Sequence, residues 1–539
     1  MTLVPPLPRA LTRALSVLAV AAWLVQMGVL VRAAYFSPPV NLAADLAHYG
    51  SSAQWKGIYY RGDKIGFSVG QTTPTDDGYE IREDGRLQMT LLGATTAVRL
   101  TSIATVDRAF ALQRFDFSLD PGTGPTRISG DIDGRRLHIT IANSSGSSVR
   151  TETRELAEPP ALSLNLPRLL AARGLEEGQT HEVQVFDPTT LSNTPMTVVV
   201  QAREVIRAAG RPVPAFRVER HFAGIVTRSW ITDVGEVVRE ESPTGFLVVR
   251  QTPDEAQALA VPGQIQTDLL EAAAIVPSPP TRIDDPTTVA LLRVRLEGAD
   301  GFGGPDLQGA GQAVVDGVIE IRDPRELRPG PVDPEAALAL GPEPFIESDA
   351  EPIRVEAQRG VATAGDDPRS RAERLVRHVH ALIEKKPTVS LPSALEVLKT
   401  RVGDCNEHTA LYVAMARALG IPSRIAVGLV YLRGAFYYHA WAEVWIEEGD
   451  GGLWLPVDPT LNQFPADATH VRLARGGLEK QAAILGLIGQ ARLSVLDVEL
   501  QPGSIPVLVG RPAADLRPLE LSLPQRDGRG RTCWSSPGR

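Results

Sequence analysis

The chain has 539 residues, too many for one hydrophobic core, and length alone points to about three or four domains. Its 43% hydrophobic and 22% charged residues are those of an ordinary globular protein and exclude wholesale disorder and a multi-span membrane protein. The net charge of −9 is spread along the chain with no basic stripe and interleaved aromatics, so no nucleic-acid partner is expected.

The N-terminal forty residues speak about location. Ala14 to Val31 is an uncharged apolar run long enough to cross most of a bilayer. Arg9 and Arg13 precede it, which orients the N-terminus toward the cytoplasm. Residues 1–40 are therefore read as a single-pass anchor, a transmembrane helix in the inner membrane, with the bulk of the chain periplasmic. A cleavable signal peptide, cut near Val31-Arg32-Ala33, is the competing reading, although Arg32 is a poor neighbour for the cut. The only cysteines, Cys405 and Cys533, are too few for a disulfide scaffold and are read as free thiols. A chain of this size can be stable outside the cytoplasm without such staples.

Residues 50–275 read as a β-rich, curved-sheet domain. Period-two alternation recurs in Phe115–Leu119, Leu137–Ile141 and Phe216–Glu219. Asp76-Asp77-Gly78, Asp84-Gly85 and Asp133-Gly134 are expected as the turns between strands. Many short strands with close turns suggest an antiparallel sheet curled into a barrel or half-barrel, interrupted by a helix near Pro167–Gly174. The carboxylates scattered there are read as a solvated face. Pro277-Ser278-Pro279-Pro280 is a stiff linker. Residues 281–360 follow as a small β-rich domain or an outer layer of the next one, with Val289–Leu296 and Val314–Ile321 as strands. Residues 361–476 are read as a further α+β core, 477–510 offer a helix and one or two strands, and 511–539 are a poorly ordered tail.

In the core, Asp367-Pro368 starts a helix carrying Ala372, Leu375, Val376, Val379 and Ile383 at helical spacing. Ser393 to Glu396 reads as a capping box opening a second helix, with Gly403 just past its end. Asp404-Cys405-Asn406-Glu407 is another cap with an acid three positions on, so Cys405 opens a third helix that runs to Leu419. Free backbone N–H groups and the positive end of the macrodipole at such a position favour a thiolate. Two strands follow, Arg424–Leu432 and Tyr438–Ile446. Alternation puts His439, Trp441, Glu443 and Trp445 on one face and Ala440, Ala442, Val444 and Ile446 on the other. A third apolar run, Leu453–Val457, ends at Asp458. Antiparallel pairing can set Asp458 beside His439, so that the carboxylate orients the imidazole and the imidazole takes the Cys405 proton.

Four segments carry a family resemblance: Gly403 to His408, Arg417 to Arg424, His439 to Val444 and Leu455 to Thr460. In this order and at these spacings they resemble the transglutaminase-like superfamily, of the bacterial cysteine-protease type, over about residues 367–462. The resemblance implies an α+β fold with a papain-like transglutaminase core, here preceded by antiparallel β-rich domains and the N-terminal transmembrane helix. It implies Cys405 as nucleophile, His439 as general base and Asp458 as orienting acid, with no metal or organic cofactor. The expected substrate is a protein or peptide of the cell envelope. Its amide or isopeptide carbonyl would be attacked, with hydrolysis preferred over crosslinking. Lys399-Thr400-Arg401-Val402 departs from the family pattern, offering no aromatic or glutamine as a second oxyanion donor. A non-catalytic scaffold or peptide-binding module of the envelope is the alternative. A metal shared by Cys405, His408, His439 and Asp458 is a minor one, since structural zinc usually draws on more cysteines. His378, His380 and His408 are read as packing or surface residues.

Overall fold

A computed structural model describes residues 53–509, with the exception of 92, 144–148, 223–224, 259–266, 299–301, 303 and 505–507. The expected transmembrane segment, the expected tail and Cys533 lie outside these residues. Among the described residues, no helix is long and apolar enough to cross a membrane.

Alternation builds the first half. Fourteen antiparallel strands between Gln54 and Gln251 form one sheet. Eight of them, from Gln54–Tyr60 to Val149–Glu155, lie in sequence order from the middle to one edge. The remaining six fill the other half, and Phe246–Gln251 pairs with Gln54–Tyr60 where the halves meet. The inward residues of successive strands, among them Phe115, Ile128, Leu137 and Ile139, make a continuous apolar layer. The helix expected near Pro167 is Leu166–Arg173. Asp84-Gly85 is not a turn: it lies inside strand Gly78–Leu91, paired on both sides, with Asp84 accepting from Thr101 Oγ1 at 2.6 Å. Two flanking ladders outweigh the local turn preference of an Asp-Gly pair.

The stretch expected as a small β-rich unit does not close on itself. Strands Gln312–Val315, Val318–Arg322 and Val289–Glu297 complete a four-stranded sheet with Arg492–Leu500 from the C-terminal part. The run expected as one strand, Val314–Ile321, is a hairpin turning at Asp316 (φ 51°) and Gly317 (φ 75°). Asp-Gly between apolar runs is a hairpin signal. The later part of the stretch contributes helix Glu351–Val361 to the next core.

That core is helical on one side and a five-stranded antiparallel sheet on the other. The strand order is Gly330–Pro331, Gly451–Val457, Ala435–Glu448, Ser423–Leu432, His470–Arg475. Arg433 (φ 50°) and Gly434 (φ 92°) turn the central hairpin in two residues, the left-handed pair that matches strand twist. Helix Cys405–Ala418 is buried on all faces from Glu407 to Arg417. It sits among helices Glu351–Val361, Pro368–Leu382 and Ala394–Thr400 and against strand Ala435–Glu448, whose Ala442, Val444 and Ile446 share one apolar cluster with Leu411, Ala414 and Met415 of the helix. Fully burying each of Val444, Ile446, Leu411 and Met415 contributes about 1.5–3 kcal/mol, so the helix is held firmly. The fourteen-stranded sheet docks onto this half: Asn143 Nδ2 donates to Ser393 Oγ at 2.9 Å, and Phe345 and Leu391 enter its apolar layer.

Candidate active site

Asp404 caps the helix. Its carboxylate accepts from the Asn406 N–H at 3.0 Å, and Glu407 Oε2 accepts from the Asp404 N–H at 2.8 Å, a complete capping box. Gly403 serves this box and does not end the preceding helix. That helix stops at Thr400, with Arg401 in the left-handed conformation at φ 54°. A β-carbon at Gly403 would lie 2.3 Å from Glu407 Cβ, so only glycine leaves room for the Glu407 side chain. Cys405 thus occupies the first helical position and packs against the apolar cluster that includes Leu429, Phe436 and Ala440. The backbone N–H of Ala440, the residue after His439, acts on the thiol in the direction that favours its ionised form.

His439 and Asp458 meet. His439 Nε2 lies 2.7 Å from Asp458 Oδ2, because the antiparallel register Ala442–Val457 places the end of one strand beside the histidine of the other. Nε2 donates to the carboxylate, which leaves Nδ1 as the basic atom. Asp458 is fully buried and accepts four hydrogen bonds. Oδ1 takes the N–H groups of Thr460 at 2.7 Å and Leu461 at 2.9 Å, while Oδ2 takes His439 and, at 3.2 Å, His470 Nε2. Burial by itself raises a carboxyl, yet His439 and His470 overcome it and hold Asp458 well below the usual carboxylate range.

His470 escaped the sequence reading. It lies twelve residues beyond Asp458 in no recognisable motif, and only the return of strand His470–Arg475 beside Ser423–Leu432 brings it in. The ring of Trp441 lies 6.3 Å from that of His439, nearly parallel, and 5.2 Å from that of His470, edge-on. His380, expected to need no role beyond packing, points Nδ1 at the carbonyls of Pro459 and Thr460, both at 3.2 Å, and so braces the Asp458 turn. His408 is buried and donates Nδ1–H to the Asp404 carbonyl at 2.6 Å.

The expectation of a thiol acidified by its helix needs correction. Burial pushes the Cys405 thiol well up, and the negative charge of Asp404, with lesser contributions from Glu407 and Asp458, pushes the same way against the Ala440 N–H. A dipole of about half a charge at the helix start does not outweigh desolvation plus three nearby carboxyls. The resting residue is a thiol. Glu407 is also pushed well up, by burial and then by Asp404, and so carries the proton of that pair.

His439, Asp458 and His470 bring their ligand-type atoms within 4.8 Å of one another. Short histidine–carboxylate hydrogen bonds already engage these atoms, which makes the group a proton-sharing cluster. Glu443, on the same face as His439, is fully buried. Burial raises it, but Arg472, Arg475 and Arg424 bring it down to about 2. Arg472 and Arg475 also donate to the carbonyls of Gln308 and Pro305, so this cluster ties the four-stranded sheet's loop to the catalytic sheet. Trp441 Nε1, Tyr438 Oη and His408 Nε2 are buried polar atoms without a partner among the described residues. Among the described residues, no side chain stands out as a second oxyanion donor.

A cysteine that opens a buried central helix, set against an antiparallel sheet carrying a histidine–aspartate pair, defines the class as an α+β transglutaminase-like core. In agreement, residues 356–459 match the family described as the transglutaminase-like superfamily. Residues 57–252 match a second family, described as a protein of unknown function (DUF3108). No curated protein matches the chain. Among solved structures, a protein of Cytophaga hutchinsonii described as a candidate cysteine protease is similar at 17% identity and a TM-score of 0.25, over 41% of this chain and 86% of that one. A DUF1089 family protein of Pseudomonas aeruginosa is similar at 15% identity and a TM-score of 0.21, over 32% and 87%. A candidate protease of Parabacteroides distasonis is similar at 12% identity and a TM-score of 0.20, over 71% and 69%.

Proposed function

We propose that the chain is an extracytoplasmic, thiol-dependent acyl-transfer enzyme, anchored in the inner membrane by residues 1–40 and acting on amide or isopeptide carbonyls of envelope proteins or peptides. The observation that carries the reading is the His439–Asp458 hydrogen bond of 2.7 Å, together with a helix-opening cysteine whose thiol feels the backbone of Ala440, the residue next to His439. Because Cys405 rests as a thiol, His439 acts as a general base during attack. The Cys405 proton passes to His439 Nδ1 as sulfur bonds to the carbonyl carbon. The C–N bond then breaks, and the proton passes to the leaving amine. Water, deprotonated by His439, cleaves the thioester and restores the thiol. Hydrolysis is preferred to capture by a second amine.

One observation favours a second reading, a non-catalytic binding module: the upward-shifted thiol. Iodoacetamide labelling of the full chain near neutral pH separates the two. The enzyme reading expects Cys405 to react faster than Cys533, expects His439→Ala to erase the difference, and expects a peptide thioester at Cys405 by mass spectrometry after exposure to envelope peptides. Equal slow labelling and no thioester would favour the module.

A further inference from the structure

Resting on that proposed chemistry, we propose that His470 is a positioning residue of the site, a fixed imidazolium that keeps Asp458 ionised and aimed at His439. The argument is one of donors and acceptors. His470 Nδ1 faces the Asp467 carbonyl at 3.0 Å and Asp467 Oδ1 at 3.3 Å, and Nε2 faces Asp458 Oδ2 at 3.2 Å. Both nitrogens therefore meet only acceptors. A neutral imidazole has one N–H and would turn a lone pair on one of these oxygens; the ring with both protons satisfies every contact. Asp458 cannot supply the missing proton, because its two oxygens already accept four hydrogen bonds. Charge balance agrees. Asp458 is fully buried and Asp467 and His470 nearly so, and one cation between two carboxylates leaves far less uncompensated charge than two carboxylates alone.

The chain between the two acids is cross-braced to hold this arrangement. Asp458 and Gln463 exchange backbone hydrogen bonds of 3.0 and 2.9 Å. Gln463 Nε2 donates to Asp467 Oδ2 at 2.7 Å, and Asp467 Oδ1 accepts from the Thr469 N–H at 2.9 Å and from its hydroxyl at 2.5 Å. The charged and titratable groups facing His470 are Asp458 from the turn after Gly451–Val457, Asp467 from its own loop, and His439 from the central hairpin, ring to ring at 5.9 Å. Its partner on Ser423–Leu432 is Val430, and the Arg472 and Arg475 charges further along its strand are spent on Glu443. Burial by itself would lower His470, but the two carboxylates raise it to about 10.

His439 and His470 share one oxygen, Oδ2 of Asp458. The His470 charge weakens the pull of that oxygen on a protonated His439, so His439 can return its proton to the leaving amine. Removing the charge strengthens that pull.

Two measurements on the full chain test this. With ¹⁵N-labelled histidine at pH 7.5, the His470 ring, assigned through its backbone, is expected to show two protonated nitrogens. The rate of Cys405 alkylation against pH is expected to have a His439-dependent acid limb that moves to higher pH in His470→Gln, because a nearby positive charge has been removed. A purely structural His470 would change the amplitude and leave the limb in place. A neutral His470 ring in the wild-type spectrum overturns the proposal without requiring any variant to fold. A His439-dependent profile that does not move in folded His470→Gln overturns the positioning role alone. Alkylation that never depended on His439 would sink the proposed function together with this role.

Discussion

Replacing Asp458 by asparagine tests the centre of the site with little change of shape. The new amide can keep its oxygen on the Thr460 and Leu461 N–H groups, as Oδ1 does at 2.7 and 2.9 Å. Its NH₂ then faces the two ring nitrogens that now donate to Oδ2. To accept that N–H, His439 must carry its own proton on Nδ1, the atom required to take the Cys405 proton. The wrong tautomer of a triad histidine is worth about 10⁴ in rate, so His439-dependent alkylation of Cys405 at pH 7.5 should fall by roughly 10³–10⁴. His470 meanwhile loses a buried ionic partner, a change of about 3–5 kcal/mol when nothing compensates. Hydrogen–deuterium exchange at Gly451–Val457 and His470–Arg475 should quicken accordingly, while the fourteen-stranded sheet exchanges as before. Alkylation within threefold of wild type, with protection at Asp458 unchanged, would refute both the tautomer argument and the electrostatic one.

Glu443→Gln leaves three guanidinium groups facing a neutral side chain, and the melting temperature of the catalytic half should drop by the equivalent of about 3–5 kcal/mol; an unchanged melt would show that the arginines find other acceptors. Gly403→Ala drives a methyl group into Glu407, so the capping box should open at a cost of at least about 1 kcal/mol and Cys405 alkylation should slow, whereas wild-type behaviour would mean the strand shifts freely. The pH dependence of stability follows from the signs of the shifts. Asp458, Asp467 and Glu443 are depressed, so their contributions are present above the unfolded carboxylate values near about 4 and are lost as pH falls, for Asp467 and Glu443 toward about 2. His470 is raised, so its contribution is complete below about 6.5 and is lost as pH rises toward about 10. Glu407, also raised, contributes fully only below the unfolded carboxylate value near about 4, and its contribution is lost as pH rises above that. Thermal melts should therefore peak on the mildly acidic side of neutral, and a flat profile up to pH 10 would contradict the His470 assignment.

Local grammar determined much of this protein from sequence alone. Alternation marked the strands of the large sheet, and cap residues marked the starts at Asp367 and Asp404, because both signals act over a few residues through backbone hydrogen bonds and one buried face. The order of Cys405, His439 and Asp458 was legible for the same reason: each sits at the start, middle or end of an element that the sequence declares. Only the tertiary structure decided how those elements are charged and braced. Asp84-Gly85 lies in a strand because two neighbouring strands claim it. Cys405 is a thiol because burial and the acids of its own helix cap and of the Asp458 turn outweigh a helix dipole. His470 joins Asp458 because a strand returns to the far edge of the hairpin. Burial and charge pairing are sums over neighbours brought from across the chain, and a linear pattern does not contain those sums.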